Sequence, residues 1–393
     1  MRPRGKELVE LLDSAGRVLA EAIPADRNFP PFPRAARDGY AVQAADLANL
    51  PAALDLIGEI KAGATPADLP TIGPGQAAAI MTGACAPPGA DAVVMVEYTS
   101  LDSKKVVIGQ AVEAGANIVP AGSEAKRGDR LLSPGMRLHE AAIGLAASTG
   151  HTRLLVYERP RVAVLATGDE VVDIETHPGP AQIRNSNSYS LAVQVQAAGG
   201  EPRGLPIAPD EPGRLRELIA DGLDADLLLL AGGVSMGKYD LVEQALAELH
   251  AEFLFTGVRI QPGKPVVFGR IPDAGGEAAP EGIYFFGLPG NPVSTMVTFE
   301  LFVRPVIAAL SGGAPQKLIF LHAQLKTAIR TKTGLTRFLP AILSGEFERA
   351  QVELVRWQGS GDIAATARAN CYVVISPDRE RIEPGEWVPV VLR

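Results

Sequence analysis

The sequence predicts an α/β protein with additional β-rich domains, and three apolar runs carry that prediction. They read RVAVLATGDE (161–170), DLLLLAGGVSMG (226–237) and IYFFGLPGNPVS (283–294). Each run is short and continuous, and each ends in a glycine-rich turn followed by helix-compatible sequence. Buried strands of a parallel sheet have this pattern, and ligands bind beyond the carboxyl ends of such strands. The three turns are therefore expected to meet at one edge of the sheet and form one site.

Length, composition and charge limit the class of protein. The 393 residues suffice for two to four domains, and 47% hydrophobic with 21% charged residues indicates a globular protein with a large core. The net charge of −8 argues against nucleic acid or an anionic membrane as the main partner. Cys85 and Cys371 are too few for a disulfide framework and fit a reducing cytosol. The start of the chain lacks the apolar core of a signal peptide, and no apolar run approaches the length of a membrane span.

Changes of pattern along the chain predict four domains. Apolar residues at helical spacing predict a helix over residues 6–22, short β-type runs fill residues 54–118, and residues 139–149 predict an alanine-rich helix. The β-rich part is expected to be an insertion, so that the segments on either side of it pack together. The expected domains are an N-terminal helical and linker domain (1–26 and 119–159), a β-rich insert (27–118), an α/β domain (160–313) and a C-terminal β-barrel-like domain (314–393).

Three further elements are expected within the α/β domain. Residues 203–207 predict a strand, and the stretch after it predicts a helix with Asp210 as its N-cap. Residues 292–310 predict a helix that Pro305 kinks.

The three turns supply the candidate site residues. The first turn carries Thr167, Gly168, Asp169 and Glu170, the second Gly232, Gly233 and Ser235 followed by Asp240, and the third Pro289, Gly290, Asn291 and Pro292. Glycine lets a backbone approach a ligand closely, and free N–H groups where a helix begins favour phosphate or another oxyanion. The carboxylates of Glu170 and Asp240 would repel an anion that has no cation bound to it. Together these residues indicate an anionic ligand that carries a hard divalent cation.

Each motif also has an ordinary structural interpretation. The acids of ATGDE could be solvated or capping, GGVS is neither a Walker motif nor GxGxxG, and PGNP could be a rigid turn. Asp38, Thr82 and Asp129 are turn residues on local grounds, and Lys264 between prolines could be a surface lysine or an anion contact. The histidines show no metal-ligand spacing, and no serine–histidine–acid arrangement is evident. Only the combination of three such turns on one sheet edge favours a functional site.

Seven stretches together resemble the molybdopterin molybdenumtransferase family, the MoeA type also found as the E domain of gephyrin. They are ARDGYAV, IMTGACAPPGADAVVMVE, ATGDEVV, QIRNSNSY, GGVSMGKYDLV, PGKPVVFG and GLPGNPVSTMVTFE. The resemblance covers nearly the whole chain. It implies a central three-layer α/β molybdopterin-binding domain and an elongated homodimer. In such a dimer the cleft lies between the α/β domain of one subunit and the β-rich insert of the other.

The resemblance also implies a reaction and its residues. Such enzymes insert molybdenum from molybdate into adenylylated molybdopterin and release AMP, with Mg²⁺ or another divalent cation. The catalytic positions implied are Asp38, Thr82, Glu170, Asp210 and Asp240, with Glu170 and Asp240 as metal ligands. The substrate-binding positions implied are Asp129, Thr167, Gly168, Asn185, Ser186, Asn187, Gly232, Gly233, Ser235, Gly263, Lys264, Pro289, Gly290, Asn291, Pro292 and Ser360. A cytoplasmic location, a molybdopterin adenylyltransferase that hands over the substrate, and molybdoenzymes that receive the product are implied as well.

Departures from the family concern the oxyanion pocket. Gly257, Gln261 and Pro340 stand at positions aligned with basic residues, whereas Lys264 and Ser360 are kept. Two arginines, Arg259 and Arg337, are candidates to replace the missing charge, and Lys238 stands where an acidic residue is common. These changes leave room for tungstate in place of molybdate. A hydrolase of nucleotide-linked phosphoanhydrides and a non-catalytic scaffold protein are competing interpretations, because one fold can serve several functions.

Overall fold

The computed structural model describes residues 1, 3–233, 241–272, 274, 282–314 and 317–393. The chain forms two compact units. The first comprises Met1–Ala20, Pro134–His139 and Arg153–Arg393, and the second comprises Glu21–Ser133 and Glu140–Thr152. The domain boundaries expected from the sequence stay a prediction.

The first part of the chain is mainly strand. Its elements are β1 (Lys6–Glu10), β2 (Ile23–Pro24), β3 (Arg34–Ala35), β4 (Gly39–Val42), β5 (Ala52–Ile60), β6 (Gln76–Ile80), β7 (Ala92–Met95), β8 (Thr99–Asp102), β9 (Lys105–Ile108), β10 (Ile118–Val119), β11 (Arg130–Leu132), α1 (Glu140–Ser148) and β12 (Arg153–Tyr157). Helix α1 lies within the segment where the sequence predicts one.

The helix predicted over residues 6–22 is wrong. Residues 6–10 form β1, which pairs antiparallel with β12 in the register Lys6↔Tyr157 to Glu10↔Arg153. Leu8 and Leu12, which the helical pattern placed on a buried face, are 58% and 82% exposed. The hydrogen-bonding partner lies far along the chain, so local spacing did not reveal it.

The second unit contains a six-stranded sheet with the order β7-β4-β6-β5-β9-β8. Its pairs are antiparallel except β5–β6, which is parallel. The residues of β4 are all buried, and alternate ones enter apolar clusters on the two faces of the sheet: Tyr40 and Val42 on one, Ala41 on the other. This central strand fixes the position of Asp38, the residue just before it.

The α/β part begins after β12. Its elements are β13 (Arg161–Ala166), β14 (Val171–Val172), β15 (Ile183–Arg184), α2 (Asn187–Ala198), β16 (Glu201–Gly204), α3 (Pro212–Asp221), β17 (Leu227–Ala231), α4 (Leu241–Glu248), β18 (Glu252–Thr256), β19 (Ile260–Gln261), β20 (Val267–Ile271), β21 (Ile283–Leu288), α5 (Pro292–Thr298) and α6 (Arg304–Leu310). The main sheet has the order β16-β13-β17-β21-β20-β18. Strands β16, β13, β17 and β21 are mutually parallel neighbours, whereas β20 and β18 are antiparallel additions.

Helices cover both faces of this sheet. Leu228 and Leu230 of β17 pack with α3 and α4 residues, whereas Leu227 and Leu229 pack with residues of α2 and α6. Because alternate residues of one strand enter two apolar cores, the strand must be apolar throughout. The α/β expectation is thus confirmed, and the carboxyl ends of β13, β17 and β21 lie side by side.

The segment after β21 changes its helical pitch. A π-helical turn, Phe299–Val303, separates α5 from α6, and Pro305 is the second residue of α6. Proline has no N–H and cannot continue the regular hydrogen-bond ladder, which accounts for an interruption just before it. This whole segment, Pro292–Leu310, is long and apolar enough to span a membrane, contrary to the expectation from the sequence. Phe299, Val303 and Ile307 are fully buried in a core cluster that includes residues of the central sheet, so the segment is a core helix here.

The C-terminal part forms a closed barrel, as expected. Its elements are β22 (Leu321–Leu325), β23 (Ile329–Arg330), β24 (Thr336–Glu346), β25 (Arg349–Leu354), α7 (Ile363–Arg368), β26 (Cys371–Ile375), β27 (Arg381–Ile382) and β28 (Trp387–Leu392). The order β24-β25-β22-β28-β26 closes through the pairing of β26 with β24. Strand β19 of the α/β part pairs in parallel with β24. An apolar cluster containing Val293, Val297, Phe338 and Tyr372 also joins the two parts.

Candidate functional site

A cavity of about 770 Å³ lies at the carboxyl ends of β13, β17 and β21. All three glycine-rich turns contribute to its wall. The predicted residues that line it are Thr167, Gly168, Glu170, Asn185, Ser186, Asn187, Asp210, Gly232, Gly233, Pro289, Gly290, Asn291 and Pro292. Its volume is in the range of cavities that enclose a small molecule.

The first turn depends on glycine at position 168. Gly168 has φ +134°, and a Cβ there would lie 2.5 Å from Oε2 of Glu170. The missing side chain therefore leaves the space that the Glu170 carboxylate occupies. Asp169 has a different part in the turn, because its Oδ1 accepts a hydrogen bond of 2.9 Å from the backbone N–H of Asp210.

Asp210 is not the N-cap of α3, so that expectation is wrong. The N-cap is Glu211, and its side chain makes no capping hydrogen bond. The helix starts with Pro212, whose missing N–H reduces the need for a side-chain cap. Asp210, one residue earlier, is exposed and lines the cavity.

The second turn approaches the first very closely. Gly232 and Gly233 have φ +106° and +65°, and a Cβ at either position would lie within 3.0 Å of Oγ1 of Thr167. That hydroxyl is buried and has no hydrogen-bond partner among the described residues. Ser235 and Asp240, which the sequence places next, lie outside the described residues, as does Lys238.

The third turn and the start of α2 hold each other. Nδ2 of Asn187 donates a hydrogen bond of 2.7 Å to the carbonyl of Gly290. Thr295 donates from its N–H to the carbonyl of Asn291 at 3.0 Å, which begins α5. Asn185 accepts from the N–H of Ser188 at 3.1 Å and so orders the first turn of α2. Asn185 and Asn187 are therefore held by hydrogen bonds between their side chains and the backbone.

Gly263, Lys264 and Ser360 are not among the residues that line this cavity. A Cβ on Gly263 would lie 2.4 Å from Cγ2 of Thr298, so the loop packs tightly there. The exposed Lys264 accepts a backbone hydrogen bond of 2.9 Å from Val258. Ser360 reaches the site indirectly, since its Oγ accepts a hydrogen bond of 3.0 Å from Nδ2 of Asn291.

Two of the altered positions lie where β19 meets β24. Nη1 of Arg337 donates a hydrogen bond to Oε1 of Gln261, one of the positions that lacks the expected positive charge. Arg337 also donates to the carbonyl of Lys332 through Nε at 3.1 Å and Nη2 at 2.9 Å. Pro340 is buried within β24 and opposite Tyr372. The guanidinium of Arg337 is thus held beside Gln261.

The remaining predicted residues belong to the second unit. Oδ1 of Asp38 accepts hydrogen bonds from the backbone N–H of Thr82 at 2.6 Å and from its hydroxyl at 2.9 Å. These two donors, the backbone one first, hold the pKa of the Asp38 carboxyl below its ordinary value of 3.8. Asp129 accepts from the N–H of Lys126 at 2.8 Å and closes a turn.

Some lining residues were not predicted from the sequence. Arg184 lines the cavity, and its Nε donates a hydrogen bond of 3.2 Å to the carbonyl of Thr176. Pro265 and Gly361 contribute from two other loops, and Ile363 contributes from the start of α7. Arg184 directly precedes Asn185 in the stretch QIRNSNSY, and its charge was the signal that could have identified it. Nothing local marks Gly361 or Ile363, which reach the cavity from the barrel.

The described part of the cavity offers oxygen donors to a metal. Glu170 and Asp210 line it, and no group of three His, Cys, Asp or Glu side chains able to hold a metal ion occurs among the described residues. Mg²⁺ usually keeps several waters and takes one or two carboxylates together with substrate phosphates. The donor set therefore fits Mg²⁺ better than a closed zinc site.

Three stretches of the chain match known families. Residues 1–150 match the family described as MoeA N-terminal region (domain I and II), residues 163–309 match the probable molybdopterin binding domain, and residues 322–392 match the MoeA C-terminal region (domain IV). A molybdopterin biosynthesis MoeA protein from Pyrococcus horikoshii is similar in structure, with a TM-score of 0.76 and 27% identity over 100% of this chain and 96% of that one.

Curated relatives cover most of the chain. The molybdopterin molybdenumtransferase of Bacillus subtilis is 32% identical over 98% of this chain and 89% of its own length. That of Haemophilus influenzae is 32% identical over 99% and 94%, and that of Nostoc sp. is 39% identical over 78% and 70%. The fold, the three family matches and these relatives agree, and the chain belongs to the molybdopterin molybdenumtransferase (MoeA) family of transferases.

Proposed function

We propose that this chain inserts molybdenum from molybdate into adenylylated molybdopterin and releases AMP. The observation that carries the proposal is the single cavity formed by three glycine-rich turns at the carboxyl ends of parallel strands. Among the described residues, its wall includes glycines that allow close backbone approach, two acidic residues and one arginine, a combination that suits a phosphoanhydride with a bound cation. Family membership gives the reaction class, and the cavity supports the proposal that the reaction takes place there.

The residues of the first two turns bind the charged part of the substrate. Glu170, with Asp240 from the stretch beyond the described residues, would hold Mg²⁺, and Asp210 lines the same cavity. Bound Mg²⁺ would supply positive charge that offsets the negative charge of the phosphates. Gly232 and Gly233 let the backbone approach the phosphates, and Arg184 pairs with one of them. Asn185, Asn187 and Asn291 orient the nucleotide or pterin by hydrogen bonds.

Asp38 and Thr82 act as a pair. The Thr82 hydroxyl and N–H both bind one oxygen of Asp38, which leaves the second oxygen to orient water or a substrate hydroxyl. Both residues are exposed, so a ligand can reach them. Asp129 supports the second unit by closing a turn.

The oxyanion is held where Gln261 meets Arg337. Arg337 supplies the charge that Gln261 lacks, and Lys264 and Arg259 add to it. Guanidinium groups bind tetrahedral oxyanions through paired N–H donors. Molybdate is the proposed oxyanion, and the altered positions leave room for tungstate in its place.

The proposed assembly is a cytoplasmic homodimer. It receives its substrate from a molybdopterin adenylyltransferase and delivers the product to molybdoenzymes. No step involves nucleic acid or a membrane, in keeping with the net charge of −8.

The decisive experiment measures AMP release from adenylylated molybdopterin with Mg²⁺, in the presence of molybdate, tungstate or neither. Release that depends on molybdate, together with active cofactor, is the expected result. Release with tungstate alone would keep the mechanism and change the metal. AMP release at the same rate with or without either oxyanion would indicate a hydrolase. Folded protein that releases no AMP would contradict the proposal.

A further inference from the structure

A loop of the barrel, residues 358–362, forms part of the cavity wall in the α/β part. Gly361 lines the cavity, as does Ile363 just beyond the loop. Ser360 fastens the loop to the third turn through two hydrogen bonds. Its Oγ accepts from Nδ2 of Asn291 at 3.0 Å, and its carbonyl accepts from the N–H of Val293 at 3.0 Å.

Asp362 holds both ends of this loop with one carboxylate. Its Oδ1 accepts from the N–H of Ala365 at 2.9 Å, which caps α7, and its Oδ2 accepts from the N–H of Gln358 at 2.9 Å. The Asp362 N–H donates to the carbonyl of Gly359 at 3.0 Å. This bond and the bond from the Gln358 N–H both close the loop. The side chain does not line the cavity, which means that its effect on a ligand passes through its neighbours.

The loop also offers unused donors. Within the described residues, the backbone N–H groups of Ser360 and Gly361 donate to no acceptor in the chain. Gly359 has φ +121°, a conformation open to glycine, just before these two donors. Consecutive free N–H groups in a tight loop favour an anion.

We propose that Asp362 is a positioning residue that holds the Ser360–Gly361 backbone where it contacts an oxyanion group of the substrate. The proposal rests on the proposed function for the identity of the substrate. The oxyanion is either a phosphate of the nucleotide or the tetrahedral metal oxyanion, since both present the same acceptor oxygens.

Asp362→Ser separates the two hydrogen bonds that the carboxylate accepts, one from Ala365 and one from Gln358. A serine hydroxyl can still accept from the N–H of Ala365 and cap α7, but it is too short to reach the N–H of Gln358 as well. Asp362→Asn gives a second view, because its amide has a single acceptor oxygen. Asp378→Ser is the matched control, since Asp378 lies in a turn of the same barrel and does not line the cavity.

The full-length variants are tested by calorimetric binding of AMP, molybdate and inorganic phosphate, and by kcat and KM for AMP release. We expect Asp362→Ser to weaken binding of one probe by about tenfold, with a matching rise in KM and a kcat near wild type. The probe that loses affinity identifies the oxyanion. Asp378→Ser should bind every probe as wild type does.

Two outcomes would overturn the proposal. One is unchanged binding by Asp362→Ser and Asp362→Asn, and the other is a wild-type protein that binds none of the three probes. The binding readout also separates this inference from the proposed function. Wild-type protein that binds a probe but releases no AMP would refute the function, whereas weaker binding by Asp362→Ser would still support the positioning role.

Discussion

At the scale of single residues, three glycines shape the cavity because their missing side chains leave space for neighbouring side chains. Gly168 makes room for the Glu170 carboxylate, and the pair Gly232–Gly233 makes room for Thr167. Positive φ angles and close approach coincide at all three glycines, so each position has two independent reasons to exclude a larger residue.

Gly168→Ala should displace the Glu170 carboxylate, because the new Cβ would lie 2.5 Å from Oε2. A displaced catalytic group should lower AMP release by about tenfold or more. The strained φ of +134° should also reduce the free energy of unfolding by about 1–3 kcal/mol. Enzyme assay and denaturant unfolding measure the two effects. Gly204→Ala is the control, because a Cβ there meets nothing within 4 Å and should leave activity intact. Wild-type activity in Gly168→Ala would show that Glu170 tolerates displacement.

Thr82→Val should raise the pKa of Asp38 toward 3.8, because one of the two hydrogen bonds that lower it disappears. The backbone N–H of Thr82 remains, so the pKa should stay below its ordinary value. A lowered pKa means that the contribution of ionised Asp38 is present at neutral pH and is lost as pH falls through that pKa. In Thr82→Val this loss should therefore occur at higher pH than in wild type.

Carbon NMR of the Asp38 carboxyl, titrated over roughly pH 2 to 6, measures this shift. Thr82→Ser keeps the hydroxyl and should titrate as wild type does. An identical titration of Asp38 in the valine variant would show that the hydroxyl does not influence its charge.

At the scale of elements, apolar runs in the sequence predicted the strands and turns that depend only on neighbouring residues. The runs that became β13, β17 and β21 are apolar throughout because both faces are covered, and each turn follows its own strand. Strand β1 was missed because its partner β12 comes more than a hundred residues later. The Asp38–Thr82 pair spans 44 residues, and the cavity contact of Gly361 depends on barrel closure. No local signal encodes such contacts, so they could come only from the family resemblance or from the structure.

Position within the sheet should decide how much a strand residue stabilises the fold. Leu229 of β17 is fully buried, and Leu229→Ala should lower the free energy of unfolding by about 2–5 kcal/mol. Leu254 of edge strand β18 is 57% exposed, and Leu254→Ala should change it by about 0.5 kcal/mol or less. Urea unfolding followed by circular dichroism compares the two, and equal costs would contradict the assigned roles of centre and edge.

At the scale of the whole molecule, the proposed homodimer predicts complementation between subunits. Asp38→Asn and Glu170→Gln should each be inactive alone. If every site combines the β-rich insert of one subunit with the α/β domain of the other, mixed dimers regain one intact site. A co-refolded equimolar mixture should then recover about one quarter of wild-type activity.

Light scattering should give twice the chain mass of 41.2 kDa for both variants and for the mixture. Mixing the same variant with itself is the control and should recover no activity. A dimer without complementation would place both residues in sites built by one subunit, and a monomeric mass would remove the basis of the proposal.

The pairing of β19 with β24 has a consequence for the history of the gene. Strand β24 of the barrel pairs with β19 from the preceding part of the chain, so recombination at the boundary would leave an unpaired strand edge. It would also expose the apolar side chains of Phe338 and Tyr372. The barrel should therefore not be exchangeable as a separate domain. Separation of the α/β part from the barrel would also remove the barrel loop that contains Gly361 from the cavity wall. Insertions and fusions should therefore be found in surface loops, and the α/β part and its barrel should be inherited together.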